Sequence, residues 1–140
     1  MTMPAGRYYI GDLCYVMHNE WDEFCSITTK CDQCLDGEFV LKDGRRFASF
    51  GTAYGDGIYQ SNIGTSHSVD AGLIGCIRVE DIRDTTYSDI ERLGAVVTFD
   101  QPFEVREDHG LIVFGDVQIE TAGSYDEDEY EYECKNSTAC

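Results

Sequence analysis

Basic residues are scarce in this chain of 140: ten Lys and Arg stand against 27 Asp and Glu, a formal net charge of −17. A surface this negative repels a phosphate backbone. That excludes sequence-general nucleic-acid binding and favours basic protein surfaces or cations as partners. The last 20 residues hold six acids (Asp126, Glu127, Asp128, Glu129, Glu131, Glu133) and one base, Lys135; this net −5 leaves −12 on residues 1–120. The acidity therefore belongs to the body as well as the tail. Colloidal solubility or a salty habitat explains the same charge without any partner.

Long apolar runs are also missing. None approaches the roughly 20 residues a helix needs to cross a bilayer. Met1-Thr2-Met3-Pro4-Ala5-Gly6-Arg7 lacks the apolar stretch of a secretory signal, so residence in a cytosol is the expectation. No phosphate-cradling glycine pattern occurs: Gly51-Thr52-Ala53-Tyr54-Gly55 has the wrong spacing and no following lysine. No Ser or Cys stands in a nucleophile-elbow or protease-like context. His18, His67 and His109 fall in segments read as loops, and Ser66-His67-Ser68 reads as a polar loop rather than a triad fragment. The chain has no internal repeat.

What is present is strand-like. Hydrophobic residues make up 42%, enough for a globular domain, and a chain of this length buries about two-thirds of its unfolded surface. Arg7-Tyr8-Tyr9-Ile10 reads as a strand running into Gly11-Asp12, with Leu13–Met17 continuing extended. Asn19 reads as the N-cap of a helix over 20–27, with Trp21, Phe24 and Cys25 on its apolar face. Residues 28–36 read as a polar loop. Glu38–Leu41 and Arg46–Phe50 flank Lys42-Asp43-Gly44-Arg45, a strong hairpin signal because Asp-Gly supplies the positive φ of tight hairpin turns. Residues 51–68 read as a long surface excursion.

Gly72–Val79 is apolar at nearly every position and reads as a central strand buried on both faces. A short helix is expected around Ser88–Leu93. Strands are expected at Ala95–Phe99, Phe103–Arg106, Leu111–Phe114 and Val117–Thr121, separated by turns at Asp100-Gln101-Pro102 and Asp108-His109-Gly110. The fold class is mainly β: an antiparallel β-sandwich or rolled sheet of about seven or eight strands with one or two short helices. Residues 1–121 form one β domain, and 122–140 an acidic, solvated tail.

Seven cysteines are a high and odd count. In a cytosol they stay reduced, and the sequon Asn136-Ser137-Thr138 carries no weight. Cys31-x-x-Cys34 supplies two ligands where zinc wants four. Cys25 with Cys14 or His18 would complete a set of non-standard spacing, so Cys25, Cys31 and Cys34 are weak metal candidates. The motif also lies in a polar loop rather than at a helix start, against redox chemistry. No cofactor is expected, with zinc or a divalent cation as the alternative.

Three Asp-Gly groups carry the remaining signal: Ile10-Gly11-Asp12, Tyr54-Gly55-Asp56-Gly57 and Val69-Asp70-Ala71-Gly72. Asp12, Asp56 and Asp70 suit a hard-cation site or a general base; ordinary turn chemistry is the stronger explanation. Tyr8, Tyr9, Tyr15, Tyr54 and Tyr59 suit either a pocket lining or sheet packing. The candidate ligand-binding set is Asp12, Tyr15, Tyr54, Asp56, Tyr59 and Asp70. Asp70 stands out because it precedes the buried strand, where a carboxylate has to be hydrogen-bonded, paired or solvated in a pocket.

Gly6–Val16 (with Tyr8-Tyr9-Ile10-Gly11-Asp12-Leu13-Cys14-Tyr15-Val16), Trp21-Asp22-Glu23, Lys42–Arg46, Tyr54–Gly57 and Val69–Gly72, occurring in this order, resemble small uncharacterised proteins of tailed bacteriophages. The resemblance is to those of T4-like marine phages in particular, with related bacterial reading frames, and covers about residues 5–120. It implies a viral origin and the host cytoplasm, and brings no catalytic residue with it. The resulting expectation is a non-enzymatic accessory module that binds a basic host protein or a small polar ligand, one version being mimicry of nucleic-acid charge. A nucleotide-binding or hydrolysing pocket using Asp12, Asp56 and Asp70 is the alternative, and a virion or assembly component the third.

Overall fold

The computed structural model describes residues 2–31, 33–83 and 92–122, with only the main chain described for Cys34. The helix expected around Ser88–Leu93 and the acidic tail fall almost entirely outside these residues.

The protein is mainly β, and its two principal sheets are antiparallel throughout. Strand β1 is Thr2–Met3, β2 Gly6–Gly11, β3 Thr29–Lys30, β4 Gln33–Cys34, β5 Gly37–Val40, β6 Arg46–Gly51 and β7 Gly57–Gln60. Then follow β8 Ser66–Val69, β9 Leu73–Arg78, β10 Ala95–Phe99, β11 Phe103–Asp108, β12 Leu111–Phe114 and β13 Val117–Glu120. A five-stranded sheet runs β10-β2-β9-β6-β5 and a four-stranded sheet β1-β11-β12-β13. The β3-β4 and β7-β8 hairpins stand as two-stranded units. There are more strands than the seven or eight expected, because short polar segments also pair.

Side-chain alternation builds the layers. Tyr8 and Ile10 of β2, Ala48 and Phe50 of β6, and Ile74 and Cys76 of β9 meet Phe103, Val105, Ile112, Phe114, Val117 and Ile119 of the four-stranded sheet in one core. The odd-face residues Tyr9, Phe47, Leu73 and Ile77 join Leu13, Val16, Met17, Phe24 and Leu41 in a second core. The five-stranded sheet is thus covered on both sides. This is why β9, its middle strand, is apolar almost throughout. Strands β11 and β13 instead alternate buried Phe103, Val105, Val117 and Ile119 with exposed Glu104, Arg106, Gln118 and Glu120, the pattern of a sheet with one wet face. Each large side chain buried this way contributes about 1.5–3 kcal/mol over exposure.

The second core is roofed by the α-helix α1, Trp21–Thr28. Eight residues are too few for a stable helix alone, so packing holds it. Trp21 stacks on Phe24 (4.3 Å between centroids), Phe24 on Phe47 (5.2 Å), and Phe47 on Phe39 (5.5 Å). Two details differ from the sequence reading. Asn19 is not the cap but lies in a 3-10 turn, His18–Glu20, and the helix begins without a side-chain cap. The Glu20 carboxylate is instead drawn to Arg45 at 2.7 Å. Cys25 is exposed and off the apolar face, which is made by Trp21, Phe24 and Thr28.

The Asp43-Gly44 hairpin forms as expected between β5 and β6, with Gly44 at φ +97°. Arg45, 9% exposed, clamps it to the helix start: its guanidinium bonds Asp43, Glu20 and the Asp81 carbonyl. The 28–36 loop contains the β3-β4 hairpin, and the 51–68 excursion contains most of the β7-β8 hairpin. Leu13–Tyr15 is a 3-10 turn, not an extended continuation of β2. Leu13 fills the space over Gly75, where a Cβ would lie 2.7 Å from the leucine and 2.1 Å from the Ala48 carbonyl.

Candidate functional site

The three Asp-Gly groups converge. Strand β2 ends at Gly11, buried against the ring of Tyr9, where a Cβ would stand 2.6 Å from the phenol oxygen. The chain turns at Asp12, whose Oδ1 accepts from the Cys14 N–H at 2.9 Å. Its Oδ2 accepts from the N–H groups of Asp70 (2.6 Å) and Ala71 (2.7 Å) in the β8–β9 connection. The Tyr9 hydroxyl donates to the Asp12 carbonyl at 3.1 Å. Consecutive main-chain N–H groups aimed at one carboxylate oxygen form a small anion-binding nest, here filled by the protein itself.

Gly72, at φ +74°, carries the chain from this nest into β9. Its carbonyl accepts from the Thr52 N–H at 3.0 Å, and the Thr52 hydroxyl donates to the Gly55 carbonyl at 2.7 Å. A Cβ on Gly72 would lie 3.9 Å from Asp56 Oδ1 and 4.0 Å from the Gly55 Cα. The 52–57 turn therefore sits directly on the 70–72 turn. The two exposed carboxylates of the group, Asp56 and Asp70, occupy neighbouring turns at one end of the sheet.

The roles differ from the sequence reading. Asp12, fully buried, is the carboxylate that has to be hydrogen-bonded, and it is. Asp70 is exposed; its Oδ2 accepts from the Tyr15 hydroxyl at 2.5 Å. Burial, helped by the Asp70 hydrogen bond and charge, pushes the Tyr15 phenol above the ordinary tyrosine range. Tyr15 and Tyr54 are half-buried at this end. Tyr59 is 3% exposed in the inter-sheet core, with its hydroxyl on the Gly55 carbonyl at 2.8 Å, so it braces the site instead of lining it. Tyr8 and Tyr9 are core residues.

Cys14 sits among all three aspartates. Burial first, then Asp12, Asp70 and Asp56, push its thiol up. It stays protonated at neutral pH, and a thiol is a poor nucleophile. Among the described residues, no three or more His, Cys, Asp or Glu side chains group as metal ligands. For the aspartates the reason is chemical: both oxygens of Asp12 are spent on main-chain donors. Cys25 and Cys31 are exposed, and the Cys34 side chain lies outside the described residues.

One functional group was missed. His67 is on β8, not in a loop, and is fully buried. Its Nδ1 lies 3.1 Å from the Ile10 carbonyl and its Nε2 2.8 Å from the Thr65 hydroxyl, itself 2.6 Å from the Ser61 hydroxyl. The available signal was alternation: His67 shares a face with Val69, two residues on, across the turn from Tyr59.

Comparison with family models, curated proteins and solved structures finds no match for this chain.

Proposed function

We propose that the chain is a non-enzymatic binding module whose Asp56–Asp70–Tyr15 rim receives the cationic side chains of a basic partner protein. The observation that carries this reading is the division of labour among the aspartates. Buried Asp12 holds the turns in place, while Asp56 and Asp70 present two carboxylates to solvent beside tyrosine rings. Carboxylates attract a guanidinium or ammonium, and an aromatic face adds a further favourable contact. Three arginines are occupied within the fold: Arg45 by Glu20 and Asp43, Arg46 by Glu38, and Arg78 by the Ala5 carbonyl and Glu80. A hydrolytic or cation-dependent pocket is the weaker reading, since Asp12 is consumed structurally and Cys14 is held as the thiol. The phage-like motifs make the partner a host protein in an infected cytoplasm.

The test is calorimetric titration with a short Arg/Lys-rich peptide at low salt. Exposed ion pairs contribute about 0.2–1 kcal/mol each. The double variant Asp56→Asn/Asp70→Asn should therefore weaken binding by about two- to thirtyfold. Asp100→Asn/Asp116→Asn, which removes the same charge elsewhere, should weaken it by less than about twofold. Equal losses from both would reduce the effect to net charge and sink the site.

A further inference from the structure

The β7-β8 hairpin is attached to the five-stranded sheet on one side by an imidazole. The His67 ring, fully buried, is positioned to donate from Nδ1 to the Ile10 carbonyl of β2 and to accept at Nε2 from the Thr65 hydroxyl. Thr65 in turn is held by Ser61, whose Oγ also takes the N–H groups of Ile63 and Thr65. Every partner in this chain is neutral. Its other attachments are Ser68 N–H to the Leu93 carbonyl, Asn62 against Asp116 and Gln118 of the β12–β13 end, the Ser61–Ile119 bridge, the burial of Tyr59 and Val69 between the sheets, and the Asp12 carboxylate on the Asp70 N–H just past β8.

We propose that His67 is an acid-operated latch: protonating its imidazole frees β8 from β2 and opens the β7-β8 hairpin while the two main sheets stay folded. A protonated ring has two donors and no acceptor. Nε2–H would then donate to the Thr65 hydroxyl, which can turn its own proton to Ser61, but a cation would stand buried among neutral partners without a counter-charge. The titratable groups on the packed elements are Tyr59 opposite on β7, Tyr9 and Asp12 flanking Ile10, and Arg92 ahead of Leu93. None compensates: burial outweighs the Ile10 carbonyl and holds the ring's pKa down at about 4, from 6.5. An opened hairpin returns it to the ordinary value. Acid therefore favours opening, by about 100-fold between neutral pH and pH 4. The hairpin ends at Asp56 and Asp70, so opening also dismantles the rim. The latch itself stands whatever the rim binds.

The experiment is amide hydrogen exchange of the full chain between about pH 7 and pH 4, corrected for intrinsic rates, with and without low urea. Opening constants at residues 58–69 should rise by about two orders of magnitude with little urea dependence, while β9 amides exchange only through a larger, urea-sensitive opening. His67→Asn retains a donor near Nδ1 and cannot titrate, so the acid-driven rise should vanish. Identical opening constants for hairpin and β9, or an unchanged rise in His67→Asn, would each overturn the latch.

Discussion

Asp12 and Asp70, 58 residues apart, are joined by the carboxylate of one and the main chain of the other: Asp12 Oδ2 accepts from the Asp70 N–H at 2.6 Å. This contact, repeated at Ala71, brings the end of β2 and the start of β9 into one piece and fixes the turn that carries the exposed Asp70 carboxylate. It also separates structural from displayed acids in a site whose three aspartates look alike in sequence.

Asp12→Asn should therefore be costly. An amide keeps one acceptor oxygen and turns an NH2 toward donors, stranding at least one buried N–H at about 1–3 kcal/mol each. A loss of about 2–4 kcal/mol in urea unfolding is expected on that basis. Asp70→Asn leaves its N–H in place and should cost less than about 1 kcal/mol. Comparable losses would show that Asp70, not Asp12, holds the turns.

Alkaline titration should find resistant phenols. Burial raises the pKa of Tyr9 and Tyr15, with Asp12 and Asp70 respectively adding to it, and raises that of Tyr8 against the opposing pull of Arg78. A phenol whose folded pKa exceeds the unfolded value of about 10 keeps its stabilising contribution below pH 10 and loses it as pH climbs above. In absorbance titration, at least three of the nine tyrosines should ionise only on unfolding. Tyr15→Phe should lower that number by one. A Tyr15→Phe/Asp70→Asn cycle should give a coupling of about 0.5–1 kcal/mol; zero coupling would mean the short hydrogen bond contributes nothing.

Two glycines should respond differently to alanine. At Gly75 a Cβ would stand 2.1 Å from the Ala48 carbonyl oxygen, a main-chain atom of the paired strand. Gly75→Ala must push β6 from β9 and should cost more than about 3 kcal/mol. At Gly44 the surroundings are open and only φ +97° opposes a side chain, so Gly44→Ala should cost about 1–2 kcal/mol. Thermal unfolding of the two variants decides; equal shifts would contradict the packing over Gly75.

Thiol labelling should follow exposure and charge. Cys25 and Cys31 are exposed, Cys14 is half-buried with its thiol held protonated, and Cys76 is buried and pushed up by the same cause. Iodoacetamide at neutral pH should modify Cys25 and Cys31 in the folded protein, leaving Cys14 and Cys76 until unfolding. Rapid native labelling of Cys14, read by mass spectrometry, would mean its pocket is open.

Much of the sheet was legible because its signals are local. Leu73-Ile74-Gly75-Cys76-Ile77 has no polar face to turn outward, so it announces a strand covered on both sides. Asp43-Gly44 between two aromatic-bearing runs announces a hairpin. The failures have equally specific causes. Asn19 has capping chemistry, but Arg45, 25 residues beyond Glu20, decides where the turn and helix divide. The Gly57–Val69 stretch is rich in Ser, Asn and Thr and looks like a loop. It pairs because Tyr59, His67 and Val69 supply just enough of a buried face.

The sequence alone determined that this is an acidic, mainly antiparallel β protein, because residue alternation, turn chemistry and charge count act over a few positions. Tertiary structure decided what each aspartate does and what His67 holds. Asp12 and Asp70 carry the same side chain, and only the arrival of a main-chain segment from 58 residues away makes one a buried acceptor and leaves the other facing water.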